Sequence, residues 1–89
     1  MRIKILGAEQ ALTTVTGTAT SFTSATVVRL FNSSTSADHL VTVVETQGGT
    51  VVGSFTLARG QSEFLEKLPA HCVFAANAAV LGAKVAFTD

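Results

Sequence analysis

The chain has 89 residues, with six basic and six acidic side chains and no formal net charge at pH 7. This length fits a single domain, residues 1–89, and the neutral balance removes the basic surface on which nucleic-acid and anionic-membrane binders depend. Charged residues make up only 13% of the chain, which leaves its surface poorly protected against self-association. The composition therefore favours a subunit of an assembly over a free enzyme.

The first predicted strand is Arg2–Leu6, in which Ile3 and Ile5 share one face. The apolar run here is shorter than the roughly 7–15 residues of a signal peptide or the roughly 20 of a membrane span. We therefore expect a soluble protein without a signal peptide of its own. Thr13–Thr16 is a weaker strand candidate. The surrounding Thr13–Thr26 is rich in Thr and Ser and is interpreted as a polar edge strand or a mobile loop.

The next predicted strand is Thr26–Phe31, with Val28 and Leu30 facing inward and Arg29 facing outward. Residues 32–38 are mostly Asn, Ser and Asp. These side chains bond to their own backbone and favour turns, so this stretch is predicted to be a loop.

A β-hairpin is the clearest local signal. Leu40–Glu45 and Val51–Leu57 are rich in β-branched residues, and Gly48 and Gly49 lie between them. Glycine supplies the positive φ angles that tight hairpin turns need. Gly60 is predicted to take the left-handed position of the turn that follows.

The remaining predicted strands are Ser62–Leu68, Val73–Ala75 and Val80–Phe87. Pro69 ends the first of them because proline has no amide proton for the ladder. The Ala-rich stretch between the last two is predicted to bend at Asn77 rather than to form a helix.

About seven or eight short strands spaced 8–12 residues apart predict an all-β fold. We expect a single antiparallel β-sandwich, immunoglobulin-like or jelly-roll-like, with Lys84 facing outward on its last strand. The predicted core consists of the apolar residues at alternating positions: Ile3, Ile5, Val28, Leu30, Val41, Val43, Phe55, Leu57, Phe64, Val85 and Phe87.

Catalytic and metal-binding patterns are weak. Asp38 and His39 are sequence neighbours whose side chains diverge on a strand, and no G-x-S-x-G motif surrounds a serine. His71 and Cys72 are also adjacent, and extended neighbours point to opposite faces. Cys72 is the only cysteine and is interpreted as a small buried apolar group. We predict no catalytic residue, no metal site and no cofactor.

The remaining glycine and charge patterns are interpreted as structural. Gly53 lies inside a predicted strand, where glycine marks a bulge or a close backbone approach. A phosphate-binding P-loop is not indicated, because its lysine and its helix are missing. Glu63, Glu66 and Lys67 are interpreted as a solvated strand face, with a salt-bridged interface as the alternative. Phe22 is the one phenylalanine expected outside the core. Because the chain has no Trp and no Tyr, stacking on sugars is disfavoured but stays open.

The layout from Val27 to Phe87 resembles that of small β-sandwich virion proteins of tailed bacteriophages, especially phages of marine cyanobacteria. The resemblance rests on the Val28–Asn32 run, the Leu40–Glu45 strand, the Gly48–Leu57 hairpin arm and the Gly60–Pro69 segment. It implies a capsid decoration or other accessory structural subunit on the capsid surface, present in many copies. The implied partners are the major capsid protein, other virion proteins or further copies of the chain. No functional residue is carried over by this pattern of strands and turns.

Two hypotheses follow. The first is a virion structural protein, probed by its copy number in particles. The second is a receptor- or glycan-binding module displayed on a virion or cell surface. We do not expect an enzyme.

Overall fold

Residues 2–88 are described by a computed structural model, in which about half of the residues lie in strands and a single 3₁₀ turn is the only helix. The strands are β1 (Arg2–Ile5), β2 (Gln10–Ala11), β3 (Val27–Asn32), β4 (His39–Val44), β5 (Val51–Leu57), β6 (Ser62–Glu66), β7 (Cys72–Ala75) and β8 (Val80–Thr88). Thr16–Thr18 forms a single 3₁₀ turn, so the strand predicted at Thr13–Thr16 is wrong. Among residues 2–88, no helix has the length and apolarity to cross a membrane.

The strands form two antiparallel sheets. One has the order β1-β8-β3-β6, with β2 pairing further along β8, and the other has the order β5-β4-β7. The predicted all-β sandwich is therefore confirmed. The last strand pairs with β1 and β3 instead of β7, which is the order of a jelly roll rather than of an immunoglobulin domain. We call the two layers the β8 sheet and the β4 sheet.

The core between the sheets contains several residues that alternation predicted. Val28 and Leu30 contribute from the β8 sheet, and Val41, Val43 and Leu57 contribute from the β4 sheet; all five are buried. Burying such aliphatic side chains contributes roughly 1.5–3 kcal/mol each relative to leaving them exposed.

Six other predicted core residues are placed differently. Ile3, Ile5, Phe64 and Phe87 are 37–61% exposed, so their assignment to the core is wrong. Phe55 is half-buried and packs against the core from one side. Val85 is buried as expected, but on the outer side of the β8 sheet and not in the core between the sheets. The first four belong to strands of the β8 sheet, where apolar residues occupy both faces and alternation alone cannot tell inside from outside.

The segment 12–26 contradicts its description as a polar edge strand or mobile loop. Leu12, Phe22 and Ala25 are buried in the main core, and Ala19 is buried on the other side of the β4 sheet. Thr20 exchanges two backbone hydrogen bonds with Val73, at 2.8 and 3.1 Å. The segment therefore wraps around the edge of β7, and Phe22 is not an outward phenylalanine.

The turn chemistry is mostly as predicted. β4 and β5 form the hairpin, and Gly48 and Gly60 both have φ of +70°. The β4–β5 register shifts beside Gly53, which confirms the bulge. Residues 76–79 form the turn at Asn77.

Candidate functional site

The outer side of the β8 sheet is unusually apolar. Val28 and Leu30 face the core, and their register partners on β8 are Lys84 and Gly82. Directly paired residues share a face, so the odd-numbered residues of β8 face outward. The large apolar residues of this outer face are Ile3, Ile5, Val27, Phe31, Phe64, Leu81, Val85 and Phe87.

These outward side chains pack on one another. The rings of Phe64 and Phe87 meet edge to face, with centroids 5.1 Å apart and planes at 70°, an arrangement that aromatic pairs prefer. Val85 faces outward yet is only 2% exposed, whereas Ile5 beside it on β1 is 61% exposed. The outer face is thus an apolar layer with a covered base and an exposed top.

One ion pair lies on this face. Arg29 is paired in register with Ala83 and Phe64, and its guanidinium Nη1 lies 3.7 Å from Glu9 Oε2. Both side chains keep more than a third of their surface exposed. The pair makes the middle of the outer face neutral without help from another molecule.

The opposite side of the sandwich is built differently. On the outside of the β4 sheet, Val44, Cys72 and Phe74 are covered by Ala19 from the wrapping segment. Gln47 Nε2 donates to the Ala19 carbonyl at 3.0 Å and holds the segment in place. The chain therefore covers the β7 side of this outer face with its own residues, whereas Leu40 and Val51 on the same face stay exposed. No such segment covers the outer face of the β8 sheet within residues 2–88. Burial of Cys72 matches the prediction.

Other apolar side chains are exposed away from the outer face of the β8 sheet. Val52 and Leu68 border one cavity, Val51 begins β5, and Leu40 lies toward the other end of the β4–β5 hairpin; these four are 45–64% exposed. Two shallow cavities of about 270 and 350 Å³ lie beside β5 and β6, the edge strands of the two sheets. Phe55, Thr56, Glu63 and Phe64 contribute to the smaller cavity.

Lys67 is a structural residue rather than part of a solvated face. It is 7% exposed, and its Nζ donates to the carbonyls of Ala25 at 2.7 Å, Leu68 at 3.3 Å and Pro69 at 3.4 Å. Burial lowers the pKa of this amine below its ordinary value. The solvated interpretation holds for Glu63 and Glu66, which are exposed, but is wrong for Lys67. The outward orientation predicted for Lys84 is wrong, because this residue pairs with core-facing Val28, and its Nζ donates to the Thr23 carbonyl at 3.0 Å.

The residues weighed for catalysis and metal binding are dispersed. Asp38 Oδ1 accepts from the backbone N–H of Arg59 at 3.0 Å and from its side-chain Nε at 3.2 Å. These bonds, led by the backbone one, hold the pKa of Asp38 below its ordinary value. His39 lies on β4 opposite Leu57, and His71 borders the larger cavity beside β6. Within residues 2–88, no three His, Cys, Asp or Glu side chains come together as metal ligands would.

Comparisons with protein-family models, curated proteins and solved structures find no match.

Proposed function

We propose that this protein is a structural subunit of the virion of a tailed bacteriophage, a decoration or cement protein that binds the major capsid protein. The observation that carries the proposal is the exposed apolar surface. Among residues 2–88, ten large apolar side chains are more than a third exposed, while the whole chain has only twelve charged residues.

This surface favours a role in an assembly. A free monomer rarely exposes large contiguous apolar patches, and those that exist mark interaction sites. Ile3, Ile5, Phe64 and Phe87 lie on the outer face of the β8 sheet. The other exposed residues lie elsewhere, among them Val52 and Leu68 beside the larger cavity. Apolar surface in more than one place suits a subunit with more than one neighbour, as in a symmetric shell. The resemblance of the strand-and-turn layout to phage virion proteins supports the same assignment.

The test measures the abundance and position of the protein in purified particles of the phage that encodes it. Quantitative mass spectrometry and cryo-electron microscopy are expected to find hundreds of copies on the shell. A few copies at the tail tip would favour a receptor-binding role, and absence from particles would overturn both.

The alternative, a glycan-binding module, is favoured by one observation. The cavity of about 270 Å³ beside β5 and β6 combines an exposed phenylalanine, Phe64, with the hydroxyl of Thr56 and the carboxylate of Glu63. An aromatic face with adjacent polar groups suits a sugar ring.

A glycan array distinguishes the alternatives. The glycan module predicts retention that the Phe64→Ala variant loses. The decoration proposal predicts no retention by either protein.

A further inference from the structure

We infer that the outer face of the β8 sheet binds a second copy of this chain. The outer faces of the two copies pack against each other about a twofold axis. This inference does not depend on the virion assignment, because it concerns how the protein associates with itself. The opposing faces of the two copies would lie about 10 Å apart, as layers of packed sheets do.

The composition of the face is that of an interface centre. Aromatic residues and arginine are enriched in such centres and other charged residues are depleted. Here Phe31, Phe64 and Phe87 lie on the face, and Arg29 is its central charge. In most antiparallel sandwiches the outer face of a sheet alternates to polar residues and meets water. This sheet departs from that pattern on β1, β3 and β8, and β6 adds Phe64.

The charges on this face do not prevent a second copy of the chain from binding. Arg29 already has Glu9 at 3.7 Å within its own chain, so each copy presents a neutral pair rather than an unpaired cation. The chain as a whole has no net charge, and neutral copies do not repel each other. Glu66, which pairs with Val27, adds one exposed carboxylate at the end of the edge strand β6. A strongly acidic partner therefore finds no complementary field on this face.

The area of the face is that of a weak interface. Its four paired strands have four, nine, six and five residues, which at about 3.3 Å per residue and about 4.8 Å between strands gives a face of about 380 Å². Two such faces together cover roughly 760 Å², which is less than the roughly 1,000 Å² of stable specific interfaces and is typical of transient association. We therefore expect a reversible dimer rather than an obligate one.

The contrast between the two outer faces also favours a second copy as the partner. On the outside of the β4 sheet, Ala19 of the wrapping segment packs on Val44 and Cys72, so the chain itself buries apolar residues there. Within residues 2–88, no segment does so over Ile5 or Phe87. An isologous copy brings an equally apolar surface of matching width, because both partners are the same sheet.

The test compares two variants by sedimentation equilibrium of the full chain over a wide range of concentration. Ile5→Glu places a charge on the outer face, and Val51→Glu places the same charge on the β4 sheet. The two residues are 61% and 59% exposed, so neither substitution buries a charge in the monomer. Circular dichroism and thermal unfolding at low concentration check that both variants fold.

The expected result is a reversible wild-type dimer, weakened roughly tenfold or more by Ile5→Glu and left unchanged by Val51→Glu. A wild type that stays monomeric at high concentration overturns the inference. So does a dimer that Val51→Glu weakens as much as Ile5→Glu. Either outcome leaves the virion assignment untouched, since capsid binding is measured separately on particles.

Discussion

At the scale of single residues, Gly82 is the tightest position in the core. A Cβ at this position would lie 2.6 Å from Phe22 Cζ and 3.2 Å from Leu30 Cδ2. Both neighbours are buried and packed, so Gly82→Ala is expected to destabilise the fold by about 1–3 kcal/mol, the usual result of overpacking. The measurement is the urea midpoint of unfolding.

The matched control for this prediction is Gly53→Ala. Gly53 also lies in a strand, but a Cβ there would meet nothing within 4 Å. Alanine restricts the unfolded chain more than glycine does, so this variant is expected to be neutral or stabilised by up to about 1 kcal/mol. If both variants lost the same stability, steric contact with Phe22 would not be the cause.

Asp38 is expected to make stability depend on acid pH. Its pKa is lowered in the folded state by the backbone N–H and side chain of Arg59. The stabilisation is therefore complete above the unfolded pKa of Asp38 and is lost as pH falls through the lower folded pKa. The Asp38→Asn variant keeps an acceptor oxygen but does not titrate, so its unfolding free energy is expected to fall less than that of the wild type below about pH 4.

A companion variant separates the two bonds to Asp38. Arg59→Ala removes the side-chain bond but keeps the backbone N–H of residue 59, which is the larger cause of the lowered pKa. We expect this exposed substitution to change stability at neutral pH by no more than about 0.5 kcal/mol. We also expect most of the acid dependence to remain. Loss of that dependence in Arg59→Ala would assign the effect to the guanidinium instead.

At the scale of elements, the wrapping segment makes a larger contribution than its composition indicates. Phe22 is 5% exposed and lies in the main core, whereas Phe55 in mid-strand is only half-buried. Phe22→Ala is expected to lower stability by about 3–5 kcal/mol, as for other buried aromatic residues, and Phe55→Ala by clearly less. Urea unfolding of both variants checks the order. The reverse order would mean that the segment is loosely attached.

The sequence predicts the strands well and their faces less well. The hairpin between β4 and β5 follows from two β-branched runs and a glycine turn, and its observed bounds agree with the prediction to within a residue. For β1, the alternation Ile3-Lys4-Ile5 is real, but the isoleucines face outward. Alternation fixes which residues share a face, and only pairing with β8 decides which face meets the core.

The candidate site could not be predicted for the same reason. The apolar outer face joins residues from four strands that are distant in sequence, such as Ile5, Phe64 and Phe87. Alternation places these three residues in strands and assigns them to the core, so it does not reveal the surface that they form. The number of predicted core residues can still indicate such a surface. When a small sandwich has more apolar strand residues than its two inner faces can hold, some of them must lie on an outer face.

At the scale of the whole molecule, apolar surface and low charge act together. The main core is closed between two sheets, and the wrapping segment covers the outside of the β4 sheet around Val44 and Cys72. The outer face of the β8 sheet stays open in the single chain. Burial of that face therefore stabilises an associated state of the protein and does not stabilise the folded monomer.

This division of apolar surface predicts how association responds to salt and concentration. Screening weakens exposed charge pairs but not apolar contacts, and the Arg29–Glu9 pair lies within one copy. Raising the salt concentration is therefore expected to leave the wild-type dimer intact or to strengthen it. Because the dimer stabilises the folded state by mass action, the unfolding temperature of the wild type is expected to rise with protein concentration, and that of Ile5→Glu is expected to rise less. Calorimetry at several concentrations and sedimentation at low and high salt check these two expectations. Dissociation of the dimer by salt would show that charged contacts stabilise it instead.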